Sequence, residues 1–538
     1  MCGVWFYLRK THKVTSMQLY GAFNNISHRG PDRHVFEDVG KFILGFHRLA
    51  IMDTSVEGDQ PFTFIDGDTK TYIVCNGEIY NFQELIEEFD LKVKSRSDCE
   101  VLPQLYQKFK QSEDPFYEVV SRLKGCEFAI ILVQITGDDV KVRFSRDPIG
   151  KRPLYIGEDE DGLLICSELK GSISDNGPIV QNIKQLNHGT IFSYHKGVIK
   201  SSKYWERLNT YTITDENEAV EQLRECLLRC LKKRMHADVP IIYACSGGLD
   251  SSGLASMAQS LSSKPITTMC VGLENGSTDE FWSKKVAEHI NSKHYHIYTT
   301  EAEMLELASE IPWICESWDT TTCRASVVQT ILATKVRELG GHVVIVGEGA
   351  DELFCGYLYF KKAPSIENMI EESNHLVDQL YQTDGARADR CTSYKSVECR
   401  TPFLDDEFVT LVNQIDPSLK APRDGCEKYL LRKVFEPYLP KDVLFRTKEA
   451  QSDGCSSKKR SWHNILQEKI QMEKEKLLPV DTDHALVNTD EDRYFMGIFQ
   501  QKFGKDNFKV VDKRWLPKWC GNVVDPSARV LDVYENDN

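Results

Sequence analysis

Nowhere in the 538 residues is there an apolar run of the length that crosses a bilayer. A spanning helix needs about eighteen, and FAIILVQI (128–135) is strand-length. Positive charge is not in excess either. The formal net charge is −15, which argues against general affinity for nucleic acid or anionic membrane and leaves room only for a local basic groove. No basic segment precedes the first apolar run in MCGVWFYLRK, so no export leader is expected. The Gly-x-x-x-x-Gly-Lys-Ser/Thr signature of the common ATPase phosphate loop is missing. So is zinc spacing: the closest cysteine pair, Cys226 and Cys230 in CLLRC, has no second pair to complete a site. There is no internal repeat or low-complexity tract. These absences predict a soluble cytoplasmic protein without nucleic-acid or membrane partners.

Cysteine itself is plentiful. Seventeen are scattered without a disulfide rhythm, as expected of reduced, mostly buried thiols. Apolar residues make up 41% and charged residues 27%, the balance of a globular protein. The length exceeds what one hydrophobic core serves, so two large domains are expected.

The rhythm of the chain changes near residue 210. Before it come short β-rich runs, KFILGFHRLAIMD, TYIVCNGEIYN, EFAIILVQI, KVRFSRD, PLYIGE, GLLICSE and GTIFSY, separated by turn residues. Helical stretches interrupt them around 15–27 and 98–111. This predicts an α+β layered domain. After it helices and strands alternate. AVEQLRECLLRCLKKRM, GLASMAQSL and SKKVAEHI have helical spacing, and IIYAC, ITTMCVG, YHIYT and VVIVG read as strands. That alternation predicts an α/β domain with a mainly parallel sheet.

The sharpest motif is SGGLDSS, Ser246 to Ser252, between IIYAC and a helix-competent segment. Gly247 and Gly248 remove side chains, so backbone N–H groups can converge on an anion. Ser246, Ser251 and Ser252 add hydroxyls, and the following helix adds positive potential. Asp250 is out of place beside phosphate unless it serves a divalent cation. The loop resembles the pyrophosphate loop of the ATP pyrophosphatases, which implies activation of a carboxylate as an acyl-adenylate.

Glu348, Asp351 and Glu352 in VGEGADELFCGYLYF follow the predicted strand VVIVG, and ligands collect at such strand ends. On residue type alone these acids could bind Mg²⁺, hold a substrate amine or accept a proton. Arg324, Arg387 and Arg400 are candidate forks for carboxylate or phosphate. Lys448, in RTKEAQSDG, supplies a point charge suited to pyrophosphate.

Taken together, SGGLDSS, TTCRAS, GEGADE, GYLYFKKAP, ARADR, RTPFLD, KEAQSDG and DPSAR resemble the synthetase domain of the glutamine-hydrolysing asparagine synthetase family over nearly all of 240–530. The resemblance implies ATP and Mg²⁺, attack on the aspartate β-carboxylate, and displacement of AMP from β-aspartyl-adenylate by ammonia. It places Cys245, Ser246, Gly247, Gly248, Asp250, Ser251, Ser252, Val271, Val346, Gly347 and Lys448 at ATP and pyrophosphate, with Asp250 also the metal ligand. It places Asp351, Asp384 and Arg387 at aspartate, and makes Glu348 the base of amidation. Cys245, Val346 and Ala350 stand where leucine, serine and serine are usual.

The first half resembles the class II glutamine amidotransferases, which are N-terminal nucleophile hydrolases. Removal of Met1 would leave Cys2 with a free amine of pKa about 8, suited to take the thiol proton. The thiolate would then form a thioester with glutamine. The resemblance gives Asn76 and Gly77, in NGEIYN, the oxyanion hole. It gives Arg48, in HRLAIMD with Leu49, Ala50, Ile51 and Met52, the glutamine α-carboxylate, and Glu78 and Asp98 the amine and amide. HRGPD (28–32) matches a further family segment.

The expectation is therefore an N-terminal αββα sandwich of the N-terminal nucleophile hydrolase type over 2–208, then an ATP-pyrophosphatase-type α/β domain over 209–538. L-Glutamine, L-aspartate and ATP are the implied substrates, and a homodimer the implied assembly. The rival readings are a relative of the same architecture with another carboxylate acceptor, and a silent binding subunit, which would be expected to lose Cys2, Arg48, Asp250 or Glu348.

Overall fold

The computed structural model describes residues 1–476, 480, 486–511 and 514–535. The chain divides into two compact units. One is Met1–Arg207 with Ala237–Val239, the other Leu208–His236 with Pro240–Asn538.

The first unit is built on two six-stranded sheets. In one, Gly3–Arg9 lies between Gly162–Cys166 and Phe42–Arg48, antiparallel to both. In the other, Thr69–Glu78 pairs with Phe62–Asp66 and Glu127–Thr136. Alternation along each strand explains the layers. Val4, Phe6, Leu44 and Phe46 of the first sheet meet Val74, Ile131, Val133 and Phe144 of the second. Burying each such side chain stabilises the fold by about 1.5–3 kcal/mol. On the outer face of the second sheet, Ile73, Ile130 and Leu132 pack on Leu85, Leu102, Leu105 and Val119. These come from helices Phe82–Phe89, Val101–Lys108 and Pro115–Val120. On the outer face of the first, Phe23 of helix Ser16–Asn24 sits edge-on to Trp5. A side chain at Gly45 would meet the Phe23 ring at 2.5 Å, so that glycine lets the helix in. The result is the expected αββα sandwich.

The second unit holds a five-stranded, wholly parallel sheet. Its order is Lys293–Thr299, Thr267–Leu273, Ile241–Ala244, Val343–Ile345, Glu398–Arg400. The direction of winding reverses between Ile241–Ala244 and Val343–Ile345. Loops leaving the carboxyl ends of those two strands diverge and open a crevice, the usual ligand site of such sheets. SGGLDSS leaves the first strand and VGEGADE the second. Each strand expected from the sequence falls on an observed one. Gly3–Arg9, Arg33–Asp38, Phe62–Asp66, Val198–Lys203 and Glu398–Arg400 are additional. So are the helices Phe82–Phe89 and Pro115–Val120, where only two helical interruptions were expected. Among the described residues no helix is long and apolar enough to cross a membrane.

Candidate active site

In the first unit, Cys2 is partly buried at the start of the strand Gly3–Arg9. Its N–H donates to Asn76 Oδ1 at 2.8 Å, and its Sγ lies 3.8 Å from the Leu49 carbonyl. Asn76 is fully buried, and its Nδ2 has no hydrogen-bond partner. A buried, unspent amide donor is costly and marks a place where a charged oxygen would be stabilised. Gly77 follows it. Opposite stands Phe128, whose N–H and C=O both bond to Asp147, at 3.3 and 2.9 Å. Gly77 therefore occupies a non-hydrogen-bonded pair, and its own N–H is directed to the other edge of the strand. On that edge the Gln60 side chain caps the Cys75 N–H at 2.6 Å. A Cβ at Gly77 would lie 2.2 Å from the Glu127 carbonyl, so only glycine fits.

Leu49, Ala50, Ile51 and Met52 form a buried wall after the strand Phe42–Arg48. Glu78 and Asp98 are buried too, and Asp98 accepts from the Ile79 N–H at 2.6 Å. Arg48 is buried and donates to Ser55 O and Asp59 Oδ1, each at 2.5 Å, and to the Asp53 carbonyl. It thus ties down the loop 53–59.

In the second unit a cavity of about 240 Å³ lies at the carboxyl end of the sheet, lined on one side by Cys245, Ser246, Gly248, Asp250 and Ser251. Val271, Val346, Gly347 and Glu348 line it as well. Gly247 has φ +77°, and a Cβ there would lie 2.3 Å from Trp282 Cβ. Gly248 caps the helix Leu249–Leu261, whose first N–H groups carry the positive end of its dipole. Ser252, in its first turn, is fully buried, and its Oγ has no partner. The Gly248 N–H donates to Ser246 Oγ at 3.3 Å, and Ser246 and Ser251 hydroxyls lie 3.1 Å apart. Arg446 Nη1 donates to the Ser246 carbonyl at 3.2 Å and Nη2 pairs with Asp279 at 2.7 Å.

Deeper in the same cavity Lys428 bridges two carboxylates, Asp250 at 2.7 Å and Asp351 at 2.8 Å. Lys448 meets the other Asp351 oxygen at 2.7 Å. Burial pushes the Asp351 carboxyl up, but the two ammonium groups outweigh it and hold it well below the carboxylate range. On the far side Arg387 donates to Gln329 Oε1 at 2.9 Å, Glu348 Oε1 at 3.3 Å and Asp384. Gln329 Nε2 reaches Glu348 at 3.2 Å. Burial, then Asp384, raises the Glu348 carboxyl, with Arg387 opposing. Burial and the neighbouring acids Asp384 and Asp351 lift Glu352 to about 8, despite a 2.6 Å bond from Tyr357.

Comparison with known proteins identifies the family. Residues 1–195 match the glutamine amidotransferase domain family, and residues 222–376 and 367–509 match the asparagine synthase family. The asparagine synthetase [glutamine-hydrolyzing] of Gallus gallus is 35% identical over 573 aligned positions, spanning 100% of this chain and 99% of its own. That of Homo sapiens is 33% identical over 573 positions, with the same coverage. The chain belongs to the glutamine-hydrolysing asparagine synthetase family.

In this family member two of the three arginines singled out as substrate forks are structural. Arg324 donates to both oxygens of Glu491, at 2.7 and 2.6 Å, and to Asp525 at 2.7 Å, tying the tail to the helix Thr320–Glu338. Arg400 is fully buried and spends its donors on Glu398 and on the Arg234 and His236 carbonyls. Sequence reasoning missed Lys428 and Gln329, which carry no motif of their own, and Arg446, which stands in RTKEAQSDG beside the singled-out Lys448. It missed Trp515 and Pro517 of the tail, which line the synthetase cavity with Pro526 and Ser527 of DPSAR. The Cys226–Cys230 pair has Glu407 within 4.8 Å as a third ligand-bearing group, with its carboxylate held by Arg229 and Lys233.

Proposed function

We propose that this chain makes L-asparagine from L-aspartate and ATP, using ammonia taken from L-glutamine, through β-aspartyl-AMP. The observation that carries this reading is the joining, in one cavity, of the SGGLDSS loop and the Glu348–Gln329–Arg387–Asp384 network. We assign the amidotransferase unit to 2–208 and the synthetase unit to 209–538.

In the amidotransferase unit Cys2, freed of Met1, attacks the glutamine amide and its α-amine takes the thiol proton. Asn76 Nδ2 and the Gly77 N–H stabilise the oxyanion, as the unspent Asn76 donor favours. Arg48 supports the substrate α-carboxylate, from a guanidinium already fixed by the loop 53–59, against the wall Leu49–Met52. Glu78 and Asp98 hold the substrate amine and amide.

In the synthetase unit Cys245, Val271 and Val346 contact the nucleotide base, and Gly347 lets the chain pass close to Asp250. Ser246 to Ser252 cradle the pyrophosphate with Lys448. The metal fits: two hard carboxylates, Asp250 and Asp351, converge on one cationic group, Lys428, and Mg²⁺ is held by one or two carboxylates plus phosphate oxygens. Bound there, Mg²⁺ would neutralise charge on the departing pyrophosphate. Asp351, expected at aspartate, belongs by its partners to this phosphate side. Arg387 and Asp384 hold the aspartate carboxylate and amine. Glu348, its carboxyl raised by burial, accepts the proton of the attacking ammonia.

The test is a pair of assays on two variants. Cys2→Ala should release no glutamate from glutamine yet form asparagine with ammonium, best at alkaline pH. Glu348→Ala should keep glutaminase activity and lose asparagine formation by about 10²–10⁴ with either nitrogen source. Failure of Cys2→Ala to use ammonium, or parent-rate synthesis by Glu348→Ala, would overturn the assignment.

A further inference from the structure

Behind Cys2 lies a cluster that the reaction as written does not use. Arg29, fully buried, donates from Nε to the Cys2 carbonyl at 2.8 Å. Its Nη1 meets Glu168 Oε1. The second oxygen of Glu168 accepts from Lys170 Nζ at 2.6 Å and lies 3.0 Å from His28 Nε2. The side chains of Arg29, Glu168 and Lys170 are at most 1% exposed. Three basic groups thus converge on one buried carboxylate, one residue removed from the nucleophile.

The backbone holds this arrangement rigid. The Ser167 N–H donates to the Val4 carbonyl and the Val4 N–H donates to Ser167 Oγ, each at 2.9 Å. Trp5 Nε1 donates to the Gly171 carbonyl at 2.8 Å. The turn carrying His28 and Arg29 is pressed so closely on the strand Phe42–Arg48 that a Cβ at Gly30 would lie 2.3 Å from the His47 carbonyl. Burial alone would raise the Glu168 carboxyl, but Lys170, His28 and Arg29 hold it well below its usual range. Burial lowers the His28 imidazole, with Glu168 opposing. Arg29 and Lys170 face Glu168 in surroundings where charge is poorly screened.

We propose that Glu168 and Lys170 are positioning residues for Cys2, fixing Arg29 against its carbonyl and setting, by their charges, the field in which the Cys2 thiolate forms. The inference rests on the reading of Cys2 as nucleophile. The elements around Cys2 also carry Asp32, His47, Arg48, Glu78, Asp98 and Glu100, with Arg9 and Lys70 at the far ends of their strands, beside the freed α-amine, and all are the same in every variant below.

The sign of the field supplies the test. Glu168→Gln adds one positive charge to the cluster, and Lys170→Met removes one. The double variant restores the parent charge and removes the buried pair as a unit, which proteins tolerate better than breaking it. On the full chain, the pH dependence of Cys2 alkylation by iodoacetamide is read by mass spectrometry of the N-terminal peptide. The midpoint should fall by about one pH unit in Glu168→Gln and rise by about one in Lys170→Met. The double variant should return close to the parent. The rise in Lys170→Met is read above pH 7, where His28 is neutral. A purely structural role would move both single variants the same way. Same-direction shifts, no shift, or a double variant further from the parent than either single one would overturn the proposal. If one single variant does not fold, the direction of the shift in the other, read against the double variant, still decides. Glutamine hydrolysis by the parent with unmoved midpoints sinks this inference alone. A parent that neither hydrolyses glutamine nor alkylates at Cys2 sinks the nucleophile assignment itself.

Discussion

Lys428→Met tests the phosphate side of the synthetase cavity at a residue that lies in no motif. The ammonium lies 2.7 Å from Asp250 and 2.8 Å from Asp351, on a side chain 1% exposed. Methionine keeps much of the stem, which packs where a Cβ at Gly356 would lie 2.6 Å from Lys428 Cδ. What is lost is the charge between two carboxylates. Breaking a buried pair costs about 3–5 kcal/mol. Lys448 still meets Asp351 at 2.7 Å, so a value near the lower end, about 3 kcal/mol, is expected. The functional loss should be larger than misfolding explains. Removing one preorganised donor from developing charge costs about 10²–10³ in rate. Pyrophosphate release with aspartate and ammonium should fall by that factor, while glutamate release from glutamine stays at the parent rate. Lys428→Arg should recover part of it. Parent-rate pyrophosphate release in Lys428→Met, or an equal fall in both activities, would refute the placement of Lys428 at the phosphates.

Gly77→Ala should abolish glutamine hydrolysis and spare ammonium-driven synthesis, since its Cβ would press within 2.2 Å of the Glu127 carbonyl and displace the N–H donor; equal loss of both activities would count against a local effect. Glu449 gives a pH prediction. Burial works to raise its carboxyl, but Thr278, Arg529 and Arg446 outweigh it and hold it at about 2. The folded pKa lies below the unfolded one, so the stabilisation is present above about 4.3 and lost as pH falls from there toward 2. About two units correspond to roughly 3 kcal/mol. Urea unfolding monitored between pH 5 and 2.5 should therefore flatten in Glu449→Gln, and an unchanged slope would refute the coupling.

The layers of both units were legible because each sheet is half or wholly covered and leaves an apolar rhythm. The strands that went unread have separate reasons. Val198–Lys203 is exposed along its whole length, so VIKSSK carries no alternation to read. Glu398–Arg400 is three residues long, and its charges are buried against each other and the backbone, which reads as a polar turn. Gly3–Arg9 was hidden by its own chemistry, because Cys2 drew attention to a nucleophile rather than to the central strand that carries it. The helix Phe82–Phe89 is different. Phe82, Leu85, Ile86 and Phe89 have helical spacing, and that signal was present in the sequence.

The sites divide along a sharper line. Residues held by backbone geometry could be picked out early: Ser246 to Ser252 from type and position, a strand that turns into a helix, and Asn76 and Gly77 through the family resemblance. Residues whose role depends on a partner far along the chain could not. Arg324, Arg387 and Arg400 look alike in sequence, and each lies in or beside a motif. Arg387 faces Glu348, 39 residues away, inside the cavity. Arg324 faces Glu491 and Asp525, 167 and 201 residues away, and so fastens the tail. Arg400 faces Glu398 two residues off and two carbonyls of the 234–236 turn. A guanidinium has five donors and no preference for substrate over protein, so what separates these three is where their acceptors lie. Arg324 and Arg400 find carboxylates and carbonyls inside the fold. Arg387 shares acidic groups that open onto the cavity, and only there can an incoming carboxylate compete for it.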